Sequence, residues 1–537
     1  MSSIIWNNYF PYSNPREQQT KVIKKVLEEF KNGKKYAIIE CGTGVGKSAI
    51  GFTIAKALCN NMGFESEKED SAYFLTTQKV LQEQYIKDFS CKGLKNLSSS
   101  SNYTCTRSGK NESCKDISTL LKTSDVPKRF ESCKYDCIYK IKKSEFIDSK
   151  LGITNFSYFL TEKNLSGKLP NKKVLIIDEA HNLENELTKF IEITVSENFS
   201  EKILKIKVPK DLNTQFKVFN WIKKEYLNSL NSKIRYMENK INELGLKSVL
   251  SDFKKINSQY EMMLSHRSKI LRFVSIYDKD NWIFDLDNSK KQRKFIFKPV
   301  DISHYSKDYL LNFADFIVFM SATIISHDGF STTIGLPIKE TVSIKEKSPF
   351  DPKNNPILFT PAGSMSFKNI DQTLPVAIKM INEIIENHKN QKGIIHTHNI
   401  KIAEAIKNKI KNKRIIVAYG ENREESLKKH IKSKNPTILV SPSMSEGVDL
   451  KGKLSEFQII CKVPFPYLGD KVTKKKMNKW SWWYDTQTIR TVIQSMGRSI
   501  RSEKDEAITY ILDKDWERLV NKNRNIFPPG FFDAYHQ

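Results

Sequence analysis

Several short stretches run continuously apolar and then stop at a small or charged residue. This is the pattern of strands buried on both faces of a parallel sheet. "KYAIIECGTGVGKSAIGFTIAKAL" predicts a strand over Tyr36–Glu40, a glycine-rich loop and a helix from about Lys47. "KKVLIIDEAHNL" predicts a strand over Val174–Ile177, and "FADFIVFMSATI" another that ends at Ser321-Ala322-Thr323. A second run of alternation follows. "KGIIHTHNIKIAEAIKNKI" reads as strand, polar turn and helix, "PTILVSPSMSEGVDLKG" as strand and loop, and "TIRTVIQSMGRSIRSEKDEAITYILD" as helix then strand. Two such runs predict an α/β chain with two lobes of parallel sheet flanked by helices. Within the first run, between "KKVLIIDEAHNL" and "FADFIVFMSATI", "FNWIKKEYLNSLNSKIRYMENKINEL" has helical periodicity in a Lys/Glu/Asn-rich region.

Composition narrows the class. At 537 residues the chain exceeds one core, so two to four domains are expected. The apolar run "ADFIVFMSATII" is too short to cross a bilayer, and the N-terminal stretch lacks the pattern of a signal peptide. The expectation is an intracellular, soluble protein. A formal charge of +27 favours a polyanionic partner such as nucleic acid. Lys enrichment alongside Asn and Ile is also what an AT-rich genome imposes, so charge alone leaves the partner open.

The loop "GTGVGKS" has the layout of a phosphate cradle. Gly42, Gly44 and Gly46 allow backbone amides to turn toward phosphate oxygens ahead of a helix N-terminus, with Thr43 and Val45 between them. Lys47 is placed to reach the terminal phosphates and Ser48 to take one Mg²⁺ position. The strict pattern asks for Gly where this chain has Cys41, a small residue that can serve. Upstream, Arg16 and Gln19 precede a helix expected over Lys21–Phe30, and a Gln amide can read an adenine edge. Asp178 would hold Mg²⁺, and Glu179 would orient and deprotonate the attacking water. On a continuous helix, Gln494, Arg498 and Arg501 share one face and suit a polyphosphate approached from across a cleft. The expected reaction is ATP hydrolysis in a seam between two lobes, whose closing and opening becomes relative motion.

Four of the eight cysteines fall in one segment, spaced C-x8-C-x18-C-x3-C: Cys105, Cys114, Cys133 and Cys137. Four thiolates can hold Zn²⁺ or a 4Fe–4S cluster, and ligand count does not separate the two. Cys91 is left as a free thiol.

Taken in order, "YFPYSNPREQQ", "ECGTGVGKS", "TTQKVLQEQY", "DEAH", "SAT", "SEGVDL", "VPFPYLGDK" and "QSMGRSIRSEKD" resemble the XPD/DinG-type superfamily 2 DNA helicases that carry an iron–sulfur cluster. The resemblance runs from residue 9 to about 515. It implies two RecA-like lobes with an iron–sulfur domain and an Arch domain inserted in the first. The implied boundaries are lobe one at 1–90, 151–195 and 296–345, the cluster domain at 91–150, an Arch-like insertion at 196–295 and lobe two at 346–537. It implies ATP and Mg²⁺ as cofactors, Asp449 as a further nucleotide residue, and the four cysteines as ligands of a 4Fe–4S cluster. The implied partner is single-stranded or forked DNA, travelled 5′ to 3′ by a monomeric motor. Thr76, Thr77, Gln84, His396 to Asn399 and Ser445 occupy DNA-side places. The Trp-rich "KKKMNKWSWWYDTQ" is expected to be core rather than binding surface. No N-terminal nuclease domain is expected, since nothing sizeable precedes Arg16. The rival function is a nucleic-acid-dependent translocase that remodels protein–DNA or RNA complexes without unwinding duplex DNA.

Overall fold

The apolar runs become strands of two parallel sheets. The computed structural model of the chain describes residues 6–60, 63–106, 112–120, 133, 136–244, 250–289, 292–444, 450, 452–500 and 502–536. Strands β1 (Tyr36–Cys41), β2 (Glu69–Thr76), β3 (Leu94–Leu97), β4 (Leu151–Asn155) and β5 (Lys172–Asp178) come first. Next, β6 (Ile193–Ser196), β7 (Trp282–Asp287) and β8 (Lys294–Pro299) form a small antiparallel sheet. With β9 (Phe316–Ser321) and β10 (Thr341–Glu346) the chain returns, closing a seven-stranded sheet in the order β10-β1-β9-β5-β2-β4-β3.

Alternate residues of each central strand enter opposite apolar layers. Ile38, Leu175 and Ile177 face one layer, while Ala37, Ile39, Val174 and Ile176 face the other. Helices Glu17–Lys31 and Lys47–Cys59 cover the second layer. β3 lies within the segment expected to belong to the cluster domain, yet it pairs with β4, so lobe one reaches further along the chain than residue 90.

The second sheet is built from β11 (Ile357–Gly363), β12 (Gly393–His396), β13 (Ile415–Val417), β14 (Ile438–Ser441), β15 (Phe457–Ile460), β16 (Ile508–Asp513) and β17 (Tyr535–His536). Its order is β13-β14-β12-β15-β16-β11-β17, with every pair parallel. Between β6 and β7 the chain is helical, with Leu227–Leu244 packed against Leu250–Ile276. Trp221, Tyr226, Phe273 and Trp282 of this insertion are buried in the same apolar cluster as one face of the first sheet. Among the described residues, no helix is long and apolar enough to cross a membrane.

One expected element is corrected. The helix carrying Gln494 runs from Trp483 to Met496 and stops at Gly497. Arg498 therefore lies in the turn beyond, its N–H bonded three residues back to Ser495, and the shared helical stripe with Gln494 does not form. Gly497 has an ordinary φ of −69°, so it contributes weak helix propensity at this end rather than a left-handed turn.

Candidate active site

Strand order brings the chemistry together. In a parallel sheet, ligands bind beyond the carboxyl ends of the strands. β9 lies between β1 and β5, so the glycine loop, Ser321-Ala322-Thr323 and Asp178-Glu179 emerge side by side. Gly46, at φ 82°, ends the loop and leads into the helix Lys47–Cys59; Gly44 has φ 89°. Both conformations disfavour side-chain-bearing residues. Lys47 Nζ donates to the Cys41 carbonyl at 3.3 Å. Arg16 donates to the Gly44 carbonyl, and Gln19 Nε2 reaches the Gly46 carbonyl at 3.5 Å while its Oε1 accepts from Arg16 N–H.

Asp178 is buried, accepting from the Glu179 N–H at 2.9 Å and the Tyr85 hydroxyl at 3.0 Å. Burial, and then the neighbouring Glu179 charge, push its carboxyl up to about 6. Glu179 sits at φ 51°, with His181 Nδ1 3.2 Å from its carboxylate. Burial would raise its pKa, but the contact with His181 and the charges of Lys47 and Arg498 prevail and lower it. His181 Nδ1 also meets Ser321 Oγ at 2.7 Å, Ser321 Oγ accepts from Thr323 N–H, and Thr323 Oγ1 accepts from Gln494 Nε2 at 3.2 Å. A polar chain thus runs from Glu179 in the first lobe to Gln494 in the second.

A cleft of roughly 520 Å³ lies along this seam. Of the residues singled out from sequence, Gly42, Thr43, Glu179, Gln494 and Arg498 line it. Arg16 and Gln19 at the start of the helix Glu17–Lys31, Gly44, Val45 and Gly46 in the loop, Lys47 and Ser48 in the helix after it, and Asp178 at the end of β5 are not on its wall. Asp449, Arg501 and Ser445 lie outside the described residues. The chain between β10 and β11 packs against the glycine loop. Ser348 Oγ donates to the Thr43 carbonyl at 2.8 Å, and the Phe350 ring packs so closely on Gly44 that a Cβ there would meet it at 2.2 Å. Sequence reasoning missed Ser348, Phe350, Tyr85 and the cleft-lining Gln18. An aromatic beside Pro349 carries no local signal for a partner some 300 positions away.

The four clustered cysteines are buried together with Ile117 and Ile241, against Tyr103, Tyr139, Ile256 and Tyr260. Burial, and then Cys137, push the Cys114 thiol up to about 11. Among the described residues no three or more His, Cys, Asp or Glu side chains form a group placed to hold a metal ion. Of the residues expected to face DNA, Thr76 is buried and Gln84 exposed, while both ring nitrogens of the fully enclosed His396 lack a hydrogen-bond partner. Trp483 is buried beside the ion-paired Lys476 and Glu184, as a core role predicts.

Comparison with known proteins agrees with this geometry. Residues 381–529 match the family model for a helicase C-terminal domain, and residues 12–208 match that for the res subunit of type III restriction enzymes. A 104-residue stretch is 32% identical to "ATP-dependent DNA helicase CHL1" of Candida albicans, spanning 16% of this chain and only 12% of that one. "Probable ATP-dependent helicase MJ0942" of Methanocaldococcus jannaschii is 24% identical over 97% of this chain and 95% of its own. Among solved structures, S. tokodaii Xpd4 shares the fold at a TM-score of 0.60 and 15% identity, covering 94% of this chain and 97% of that one. A solved XPD helicase does so at 0.62 and 16%, covering 96% and 98%. Both family models thus lie in order along the two parallel-sheet lobes, and the chain shares the fold of the solved XPD structures and is similar over nearly its whole length to a probable ATP-dependent helicase.

Proposed function

We propose that the protein is an ATP-dependent DNA helicase that moves 5′ to 3′ along single-stranded DNA and separates duplex ahead of it. The observation that carries this reading is the seam itself. Glu179 on one wall faces Gln494 and Arg498 on the other, within electrostatic reach of each other. Triphosphate gripped by the glycine loop and Lys47 would place its developing charge where Arg498 can neutralise it. Hydrolysis would then be fast only when the lobes close. Both walls come from one chain, which suits a monomeric motor. Ser48 and Asp178 would hold Mg²⁺, and Arg501 and Asp449 would complete the nucleotide shell. The raised carboxyl of Asp178, buried beside a second carboxylate, is the chemistry of a site that accepts a divalent cation.

Cys105, Cys114, Cys133 and Cys137 would ligate a 4Fe–4S cluster. Their co-burial supports it by bringing into one pocket four thiols that metal binding would deprotonate. When bound, the cluster would cross-link a segment that has little core of its own.

Polarity-resolved assays test the reading. ATP hydrolysis is expected to rise with single-stranded DNA, and 5′-tailed duplexes should be unwound while 3′-tailed ones are not. Strong DNA-stimulated hydrolysis without any strand separation would establish the remodelling translocase instead. Cys133→Ser is expected to abolish brown colour and unwinding while hydrolysis persists; a colourless wild type purified anaerobically with stoichiometric zinc overturns the cluster.

A further inference from the structure

Ile325, two residues beyond Thr323, has φ 70°, the left-handed region that a β-branched residue avoids. Its backbone is held from both sides. The N–H donates to Glu40 Oε1 at 2.7 Å, and the carbonyl accepts from Lys345 Nζ at 2.7 Å. Glu40 is itself enclosed, with His327 Nε2 at 3.2 Å and Lys345 Nζ at 3.4 Å from its second oxygen. Lys345 Nζ also reaches the carbonyl of Ile526 in the second lobe at 3.2 Å, and Arg490 of that lobe donates to the Ile324 carbonyl at 3.1 Å.

The strained backbone delivers the side chain to an unexpected place. Ile325 is fully buried in an apolar cluster with Ile357, Ile460, Val463, Ile489 and Ile511. Every other buried member of that cluster lies at residue 357 or beyond, in the second lobe. A residue of lobe one is therefore keyed into the core of lobe two. Glu40, which fixes it, is the residue before Cys41 and Gly42, where the phosphate loop begins.

We propose that Ile325 is a peg that transmits the state of the phosphate loop to the second lobe, and that Glu40 is the positioning residue that aims it. A shift of the loop at the end of β1 moves Glu40. Glu40 carries the strained turn, and the peg moves the core that supports the helix bearing Gln494. This inference rests on the helicase reading for its purpose but not for its geometry.

The test compares Ile325→Gly, which removes the peg and relieves the backbone, with Val463→Ala, which thins the same cluster without touching lobe one. The readouts are the ratio of ATP turnover with and without single-stranded DNA, and the change in distance between dyes on exposed Cys91 and an Asn435→Cys variant when a non-hydrolysable ATP analogue is added. Ile325→Gly should keep basal turnover within about twofold and lose at least about tenfold of the DNA stimulation, together with the analogue-induced distance change. Glu40→Gln should give an intermediate loss, and Val463→Ala should keep both readouts. Equal losses in Ile325→Gly and Val463→Ala, or an intact distance change in Ile325→Gly, would overturn the peg. A wild type whose hydrolysis ignores DNA would sink the helicase reading instead, and the distance measurement would still judge the peg.

Discussion

Arg498 reaches the seam from the turn after a helix, not from the helix itself, so its aim depends on where Gly497 breaks the chain. In the proposed role this cation would act on charge that develops during hydrolysis rather than on bound substrate. Arg498→Ala is therefore expected to lower the turnover number by roughly 10³–10⁵-fold with a smaller change in KM for ATP, as steady-state phosphate release would register. A large rise in KM with turnover intact would show instead a ground-state contact. At this scale the sequence is readable where chemistry is local. Lys47 and Glu179 declare themselves because the loop and strand that place them are contiguous with them. Tyr85, which donates to Asp178 across 93 positions, gives no such signal.

At the scale of elements, the segment between β10 and β11 is the least anticipated part of the site. Ser348 and Phe350 lie over the glycine loop, and the Phe350 ring stands against Gly44 where phosphate oxygens would approach. If the ring must move aside for nucleotide to bind, the apparent affinity is reduced by the fraction of time it is displaced. Phe350→Ala is expected to lower KM for ATP by about threefold or more at unchanged turnover, measured on the same phosphate-release assay. A raised KM would mean that the ring contacts bound nucleotide. The strands β1, β5 and β9, which carry the loop and the acidic pair, were readable from their apolar runs. The segment's own position was not, because nothing in its sequence specifies which surface a connector crosses.

Across the whole molecule, the two lobes are joined by more than the seam. The basic helix Lys471–Lys479 of lobe two places Lys476 against Glu184, which also accepts from Trp483 Nε1 at 3.3 Å, and Lys479 against Asp301 at 2.5 Å. Lobe two also encloses titratable rings. His396 and His430 are fully buried, and burial lowers their pKa from 6.5 to about 3 and about 4. Both stay neutral in the fold while the unfolded chain protonates them below 6.5. Their contribution to stability is complete above that pH and is lost as pH falls toward 4. At pH 5 each such histidine would contribute roughly 2 kcal/mol less than at pH 7.5. Urea unfolding at the two pH values is expected to show the midpoint falling accordingly; an unchanged midpoint would show that these rings are protonated in the fold.

What the sequence by itself determined is whatever depends on neighbours along the chain. Apolar runs made parallel strands, glycines made the phosphate loop, and an acidic pair closed β5, because each is settled by local backbone preference and burial. The tertiary structure alone decided which of those pieces meet. Strand order set β9 between β1 and β5, the connector covered the loop, and a strained Ile325 crossed into the other lobe's core. Those outcomes follow from packing between residues hundreds of positions apart, where no local pattern carries the information and only the close-packed interior selects one arrangement.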